Sequence, residues 1–429
     1  MPGWTWRRAR GLVTAAVLAA VTPFAATAAP TAPPDTGADV AARGCAAIAD
    51  RVTRHAGGGP LFLRSWETAE GAPLDEPALR DAAFTYDNAL AAIALLACGR
   101  GAEARRIGEA LRLAVMRDRH WTDGRPRNAY RAGPVPDGTA PLPPGWWNAG
   151  ANRWEEDAYL VGTATGNVAW AALALLALHD ATGEAPYLDA AARALGWVLD
   201  ATKAGDSASG GPPVFQGGYH GHEPDPVGLT WAATEHATDL VPAFARLHRL
   251  TGEARWSTAA GQARAFLDRM WDGAEGRFLI GLLPDGTPNR AGSGLDAQLW
   301  PLLAVPDHPP DWRRALDFID RAHGVDGGYD FDADRDGLWV EGTAQAALTF
   351  LAVDRPDRAA ALLAAVATEW SPGGLLFATR ADSITTGLAI GPDSTTADFL
   401  YHRRPHLGAT AWAVLAALGW NPFTGGRVP

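Results

Sequence analysis

TATGNVAWAALALLALHDATGEAPYLDAAARALGWVLD, Thr163 to Asp200, decides the fold. Its first half is apolar nearly all round, and its second half, after the TGEA turn, carries an apolar stripe beside charged residues. That pattern predicts two helices running back on each other, the first opened by Thr165 as N-cap. The same unit recurs without a gap at AATEHATDLVPAFARLHRLTGEARWSTAAGQARAFLDRM, Ala232 to Met270. Thr165 falls on Thr234, the TGEA of Thr182–Ala185 falls on Thr251–Ala254, and both units close on Leu-Asp. A repeat of this length marks an architecture built from identical supersecondary units.

Looser copies fill the rest of the chain. TYDNALAAIALLACG precedes AEARRIGEALRLAVM, LDAQLWPLLAV precedes DWRRALDFIDRA, and EGTAQAALTFLAV precedes RPDRAAALLAAVATEW. A last apolar helix, LGATAWAVLAALG, lacks a follower, while an amphipathic one, CAAIADRVTRHA, stands alone near the start. Helices apolar on every side must be enclosed, and those with one charged stripe can face water. Six of each, alternating, predict an all-α (α/α)6 toroid of six inner and six outer helices. An open solenoid would need polar capping repeats, whereas the two orphan helices here complete one another across the seam.

Turns from inner to outer helices are short. Those leading back are long and rich in Gly, Pro and aromatics, such as GPPVFQGGYHGHEPDPVGLTW and GRFLIGLLPDGTPNRAGSG, the second reading as a small β-hairpin around Asp285-Gly286. Long loops usually carry function. All of them gather at the N-terminal ends of the inner helices, so a cleft is expected there.

Before the toroid, Arg7, Arg8 and Arg10 precede an apolar run and an Ala26-Thr27-Ala28 cleavage signature, so residues 1–28 read as an export signal. Arg7-Arg8 also fits a twin-arginine signal. Residues 29–40 read as a Pro-rich linker and 41–429 as one toroidal domain, secreted or periplasmic, without a membrane span. In such a compartment Cys45 and Cys98 are either a disulfide or two buried thiols. The net charge of −11 argues against nucleic-acid partners, because phosphate binding draws on Lys and Arg, while 18 Trp suit neutral sugar rings.

The phrases TYDNALA, TGNVAW, TEHATDL, LDAQLW and EGTAQAAL, each opening an inner helix, resemble the six-hairpin glycosidase superfamily over essentially the whole mature chain. The resemblance implies cleavage of glycosidic bonds by carboxylates at the inner-helix heads, with inversion favoured. A glycosidase needs one protonated carboxyl for the leaving oxygen and one ionised carboxyl for water or attack. Glu235 is the expected acid, with Asp239 one turn on and Trp231 raising its pKa by repulsion and desolvation. Glu341, then Asp87, then Asp296 are the candidate bases. Tyr86, Asn88, Asn167, His236, Asp239, Gln298 and Gln345 at the same heads are expected to bind substrate, with Trp231 beside them. Trp147 and Trp154, with Trp146, are read as a sugar platform.

Any one acidic residue at a helix head has a structural explanation in the macrodipole, worth about 0.3–1 kcal/mol. Four heads out of six carrying a carboxylate favour chemistry. A polysaccharide lyase is the alternative, with Arg403, Arg404, His402 and His406 as its cations and base, and a non-catalytic carbohydrate-binding toroid is the third class. Glu155, Glu156 and Asp157 read as a solvated acidic run. No cofactor and no metal are expected. Two cysteines without CxxC do not make a zinc site. DADRDG, Asp332 to Gly337, copies half of a calcium loop but has Thr343 where the last acidic ligand belongs. A monomer acting on a carbohydrate is expected.

Overall fold

The structure, a computed structural model, describes residues 36–204, 213–392 and 394–429. The expected export signal lies outside the described residues, and so do residues 29–35 of the expected linker. Thr36–Val40, also read as linker, belong instead to the first helix, α1 (Thr36–Thr53), whose Val40, Gly44, Ile48 and Val52 make a buried stripe at four-residue spacing.

Eleven further long helices follow: α2 (Thr85–Ala97), α3 (Gly101–Met116), α4 (Thr165–Thr182), α5 (Ala185–Trp197), α6 (Thr234–Thr251), α7 (Ala254–Met270), α8 (Leu295–Ala304), α9 (Arg314–Ala322), α10 (Val340–Ala352), α11 (Pro356–Val366) and α12 (Leu407–Ala417). The even-numbered helices form the inner ring. Each packs on the next, and α12 packs back on α2, so the ring closes. The odd-numbered helices lie outside, and α1 seats against α12 as the orphan pair requires. That contact is close: a Cβ on Gly44 would lie 2.3 Å from Val414 Cγ2. Cys45 is bonded to Cys98 at the end of α2, with 5.9 Å between their Cα atoms.

The TGEA turns repeat atom for atom. Gly183 and Gly252 take positive φ (71° and 73°) and donate their N–H to His179 and His248 O, closing each helix with a left-handed cap. At the other ends, Thr165 and Thr234 are not N-caps. They are the first helical residues, after Ala164 and Ala233, which have no capping side chain. Their hydroxyls donate outward, Thr165 Oγ1 to Gln216 O and Thr234 Oγ1 to Leu279 O, as does Thr85 Oγ1 to Arg127 O.

Those contacts belong to a collar that runs round the ring. The first N–H of every inner helix donates to a backbone carbonyl in the loop before the next inner helix: Thr85 to Asn128, Thr165 to Gly217, Thr234 to Ile280, Leu295 to Phe331, Val340 to Ala378 and Leu407 to Ser65, each at 2.9–3.0 Å. Short antiparallel ladders reinforce it, Ala82–Phe84 with Ala129–Arg131, Thr163–Ala164 with Gly218–Tyr219, and Ala232–Ala233 with Gly281–Leu282. Single bridges do so at Trp339↔Thr379 and Trp66↔His406. The turn at Asp285-Gly286 is present, held by Leu283 N–H to Thr287 O and one Leu282↔Pro288 bridge. Among the described residues no helix is long and apolar enough to cross a membrane.

On the axis below the collar, Trp170, Trp300, Trp412 and Phe423 pack with ring centroids 5.1–6.3 Å apart. Replacing Cys45 and Cys98 together by alanine is expected to lower stability by about 2–4 kcal/mol, read as a lower urea midpoint at constant slope. An unchanged midpoint would show that packing alone holds α1 on the ring.

Candidate active site

Five of the six inner-helix heads turn a titratable side chain into one basin beneath the collar: Asp87 on α2, Glu235 and Asp239 on α6, Asp296 on α8, Glu341 on α10 and His406 just before α12. Asp87, Asp239, Asp296 and Glu341 are 1–6 % exposed, whereas Glu235 keeps 34 % of its side chain open. They fall into two groups.

In the first, Glu235 and Asp296 are hydrogen-bonded to each other. Burial raises Glu235 well above the usual carboxyl range, and the charge of Asp296 pushes it further up; burial raises Asp296 as well, and the bond to Glu235 offsets only part of that rise. Both carboxyls are raised, so the pair retains a proton more readily than two free carboxyls would. The expected repulsive partner was Asp239, which is itself raised by burial and by the charges of Glu235 and Asp296. The residue that acts on Glu235 sits on the neighbouring helix. Trp231, the expected desolvating wall, stands 5.4 Å from the ring of His236 and fills the space over Gly217. His236 is lowered to about 4 by burial, so it is a neutral imidazole, its Nε2 3.5 Å from Glu235 Oε1.

In the second group Tyr86 organises Glu341. Trp412 Nε1, which can only donate, gives its proton to Tyr86 Oη at 2.8 Å, and Tyr86 donates its own to Glu341 Oε1 at 2.6 Å. Gln345 Nε2 adds a bond to the same oxygen at 3.3 Å. Burial still lifts Glu341 to about 7, against the pull of His406. His406 lies between two carboxylates, Nε2 3.3 Å from Asp87 Oδ2 and Nδ1 3.4 Å from Glu341 Oε2, and stacks on Trp66 at 4.0 Å. Burial would pull its pKa down, but the charges of Asp87 and Glu341 outweigh it and raise it above its ordinary value, while Nδ1 also accepts the N–H of Ala409 at 3.3 Å as the cap of α12. Gly408 leaves the space for this triad, since a Cβ there would stand 2.6 Å from Asp87 Oδ1 and 3.1 Å from Glu341 Oε2.

Other expected site residues do different work. Asn88 is fully buried and clips the loop of the preceding turn, accepting from Leu63 N–H and donating to Leu63 O and Phe84 O. Gln298 does the same for Phe278 N–H and O. Neither retains a group for substrate. Asn167 donates to Asn128 Oδ1, which also accepts the N–H of Ala164. Trp147 and Trp154 face each other across a hairpin (Trp146–Asn148 with Arg153–Glu155), 58 % and 46 % exposed, so both present faces to solvent.

The acidic run after it is tied down rather than solvated: Glu156 takes Arg119 in a forked pair and Asp157 caps Ala158–Val161. Of the lyase candidates, Arg403 pairs with Glu369 and Arg404 with Glu76, while only His406 enters the basin. Asp332, Asp334 and the buried Asp330 bring ligand oxygens within 4.8 Å of one another beside the Ser383–Thr385 strand, where Thr385 holds Asp334 and Asp336.

Two tyrosines between the inner helices escaped sequence reasoning. Tyr401 stands 6.2 Å from the ring of His406, and burial with the charges of Glu341, Asp87 and Asp296 raises it; burial with the charges of Glu235 and Asp87 raises Tyr159. Nothing in their local sequence marks them, whereas His406 was visible as the residue opening the last inner helix.

No protein-family model and no curated protein matches the sequence. Solved structures do match its shape. A cellobiose 2-epimerase from Spirochaeta thermophila superposes with a TM-score of 0.59 at 17 % identity, over 91 % of this chain and 98 % of that one. A glycosidase variant in complex with glucose gives 0.58 at 14 %, over 91 % and 99 %. A GH76 α-mannanase from Bacteroides thetaiotaomicron gives 0.54 at 12 %, over 90 % and 98 %.

The fold is the (α/α)6 toroid shared with these structures. At these identities the likeness fixes the architecture, and the chemistry rests on this chain's own side chains. Gln298→Ala, which strands the Phe278 N–H and O, is expected to cost about 1–3 kcal/mol of stability with little change in KM. A raised KM at unchanged stability would return Gln298 to the substrate.

Proposed function

We propose that the protein is an exported glycoside hydrolase that cleaves a neutral oligo- or polysaccharide with inversion, as a monomer and without a cofactor. The observation that carries this reading is the division of the basin's carboxyls into a proton-sharing pair and a hydrogen-bonded acceptor. Glu235, protonated and open to the basin, gives its proton to the leaving oxygen, and the charge of Asp296 beside it keeps it protonated until then. Glu341, held as an acceptor by Tyr86, takes a proton from the attacking water; its Oε2, buried 3.4 Å from His406 Nδ1, has no hydrogen-bond partner among the described residues. His406 and Gln345 orient that carboxylate, and Asp87 orients His406. Glu235 on α6 and Glu341 on α10 are separated round the ring by α8, an arrangement that suits a water between acid and base.

Epimerisation of a sugar is a second reading, favoured by the two imidazoles of the basin, His236 with its pKa lowered and His406 with its pKa raised. It requires proton exchange at carbon with no new reducing end. Reducing-end assay and NMR of the products, run together on a glycan panel, separate the two reactions.

Removing a general acid typically costs about 10²–10⁴ in rate. Glu235→Gln is therefore expected to lose that much on a natural glycan and much less on an activated aryl glycoside, whose leaving group needs no proton. Equal losses on both substrates would take the acid role from Glu235.

The base must be ionised, so kcat/KM should rise with pH through about 7, where Glu341 titrates. The Tyr86 hydrogen bond stabilises the ionised form and lowers that pKa. Tyr86→Phe is accordingly expected to move the acid limb to higher pH. A limb that stays in place would mean another group sets it.

A further inference from the structure

Two arginines of one loop contrast sharply. Arg127 is fully buried and saturated, donating to Asp118, to Glu223 and to Val161 O. Arg125 is 6 % exposed, and its Nε is buried with no hydrogen-bond acceptor among the described residues. Its guanidinium lies over the ring of Trp121 at 3.5 Å and beside that of Tyr219 at 5.1 Å. Nε is ion-paired at 3.3 Å with Asp123, itself 44 % exposed, but not in hydrogen-bond geometry. A buried donor left unsatisfied costs free energy, and it persists where something outside the fold completes it.

Arg125 opens onto a pocket of about 350 Å³ walled by Trp121, Trp197 and Tyr219, with Asp123 and Asp225 at its edge, within the range of roughly 300–1,000 Å³ usual for small-molecule sites. Its residues come from the loop after α3, the end of α5 and the hairpin of Gly218–His220 with Val227–Leu229. None is an inner-helix head residue. Tyr219 nevertheless pairs with Thr163, on the strand leading into α4, so the pocket sits on the collar side of the ring.

We infer that this pocket is a second glycan-binding site, which holds a sugar unit of a neutral polysaccharide outside the basin. The inference rests on the carbohydrate reading above. Aromatic faces take the C–H face of a pyranose, Arg125 supplies donors to its hydroxyls, and Asp123 and Asp225 accept hydroxyl protons. Two carboxylates beside one guanidinium disfavour an anionic ligand. A polymer held at both places is bound with the effective concentration of a tethered ligand, so the site serves long chains more than short ones.

The test uses the full-length Glu341→Gln protein, which binds without turnover, in native gels containing yeast mannan, soluble starch, galactomannan or polygalacturonate. Retardation by a neutral polysaccharide is expected, and Trp121→Ala on that background should raise the apparent dissociation constant about threefold or more. Trp121→Phe, which keeps a flat face, should restore most of the affinity at unchanged circular dichroism. A smaller effect of Trp121→Ala, or no rescue by Trp121→Phe, overturns the site while leaving the hydrolase reading intact. Retardation by polygalacturonate alone overturns the neutral class. Failure of every polysaccharide to bind overturns the site and the carbohydrate reading together.

Discussion

The collar of backbone hydrogen bonds is the constraint on which the rest depends. The first turn of any helix has N–H groups with no partner in their own helix, and here the leading one of each inner helix is answered by the neighbouring unit's loop. Because the acceptor is a carbonyl, the contact asks little of the sequence and survives loose repetition. Its effect is to fix the height and rotation of six helix heads relative to one another. A side chain one residue into the helix, Tyr86, Glu235, Asp296 or Glu341, is thereby placed by main chain on two adjacent units rather than by a mobile loop.

Such placement crowds five carboxyls into one buried space, and the helix N-termini alone cannot hold them all ionised. The molecule resolves the conflict in two ways. Glu235 and Asp296 keep a proton between them, and His406, its pKa raised by Asp87 and Glu341, sits between those two carboxyls. The buried tyrosine–tryptophan chain adds direction to the second group, because indole N–H has no acceptor role and so dictates which way Tyr86 donates.

Sequence reasoning reached the ring because its evidence is periodic. The all-round apolar helices, the gapless Thr165 and Thr234 units and the TGEA turns each state a local rule, and closure follows from the orphan elements at the ends. It reached the head carboxylates for the same reason. It failed where roles depend on residues distant in the chain. Asn88 and Gln298 look like Asp87 and Asp296 in a helix-head pattern, but they lie one and two residues further on and bond to the loop instead of facing the basin. Asp239 is the visible i, i+4 neighbour of Glu235, whereas the true partner, Asp296, belongs to another hairpin. Tyr159 and Tyr401 come from a single helical turn, Ala158–Val161, and a three-residue strand, Leu400–His402, elements too short to show a periodicity. The start of α1 at Thr36 was hidden by the prolines just before it.

The aromatic plug on the axis gives the ring a mechanical character. Trp170, Trp300 and Trp412 are 0–4 % exposed, and Phe423, from the segment after α12, is fully buried among them. A torus suggests a bead that might be strung on a polymer, but this one has a floor. No strand can be threaded through it, so a bound chain either lies across the mouth or enters by its tip, and whatever is released in the depths must back out through the opening by which it came.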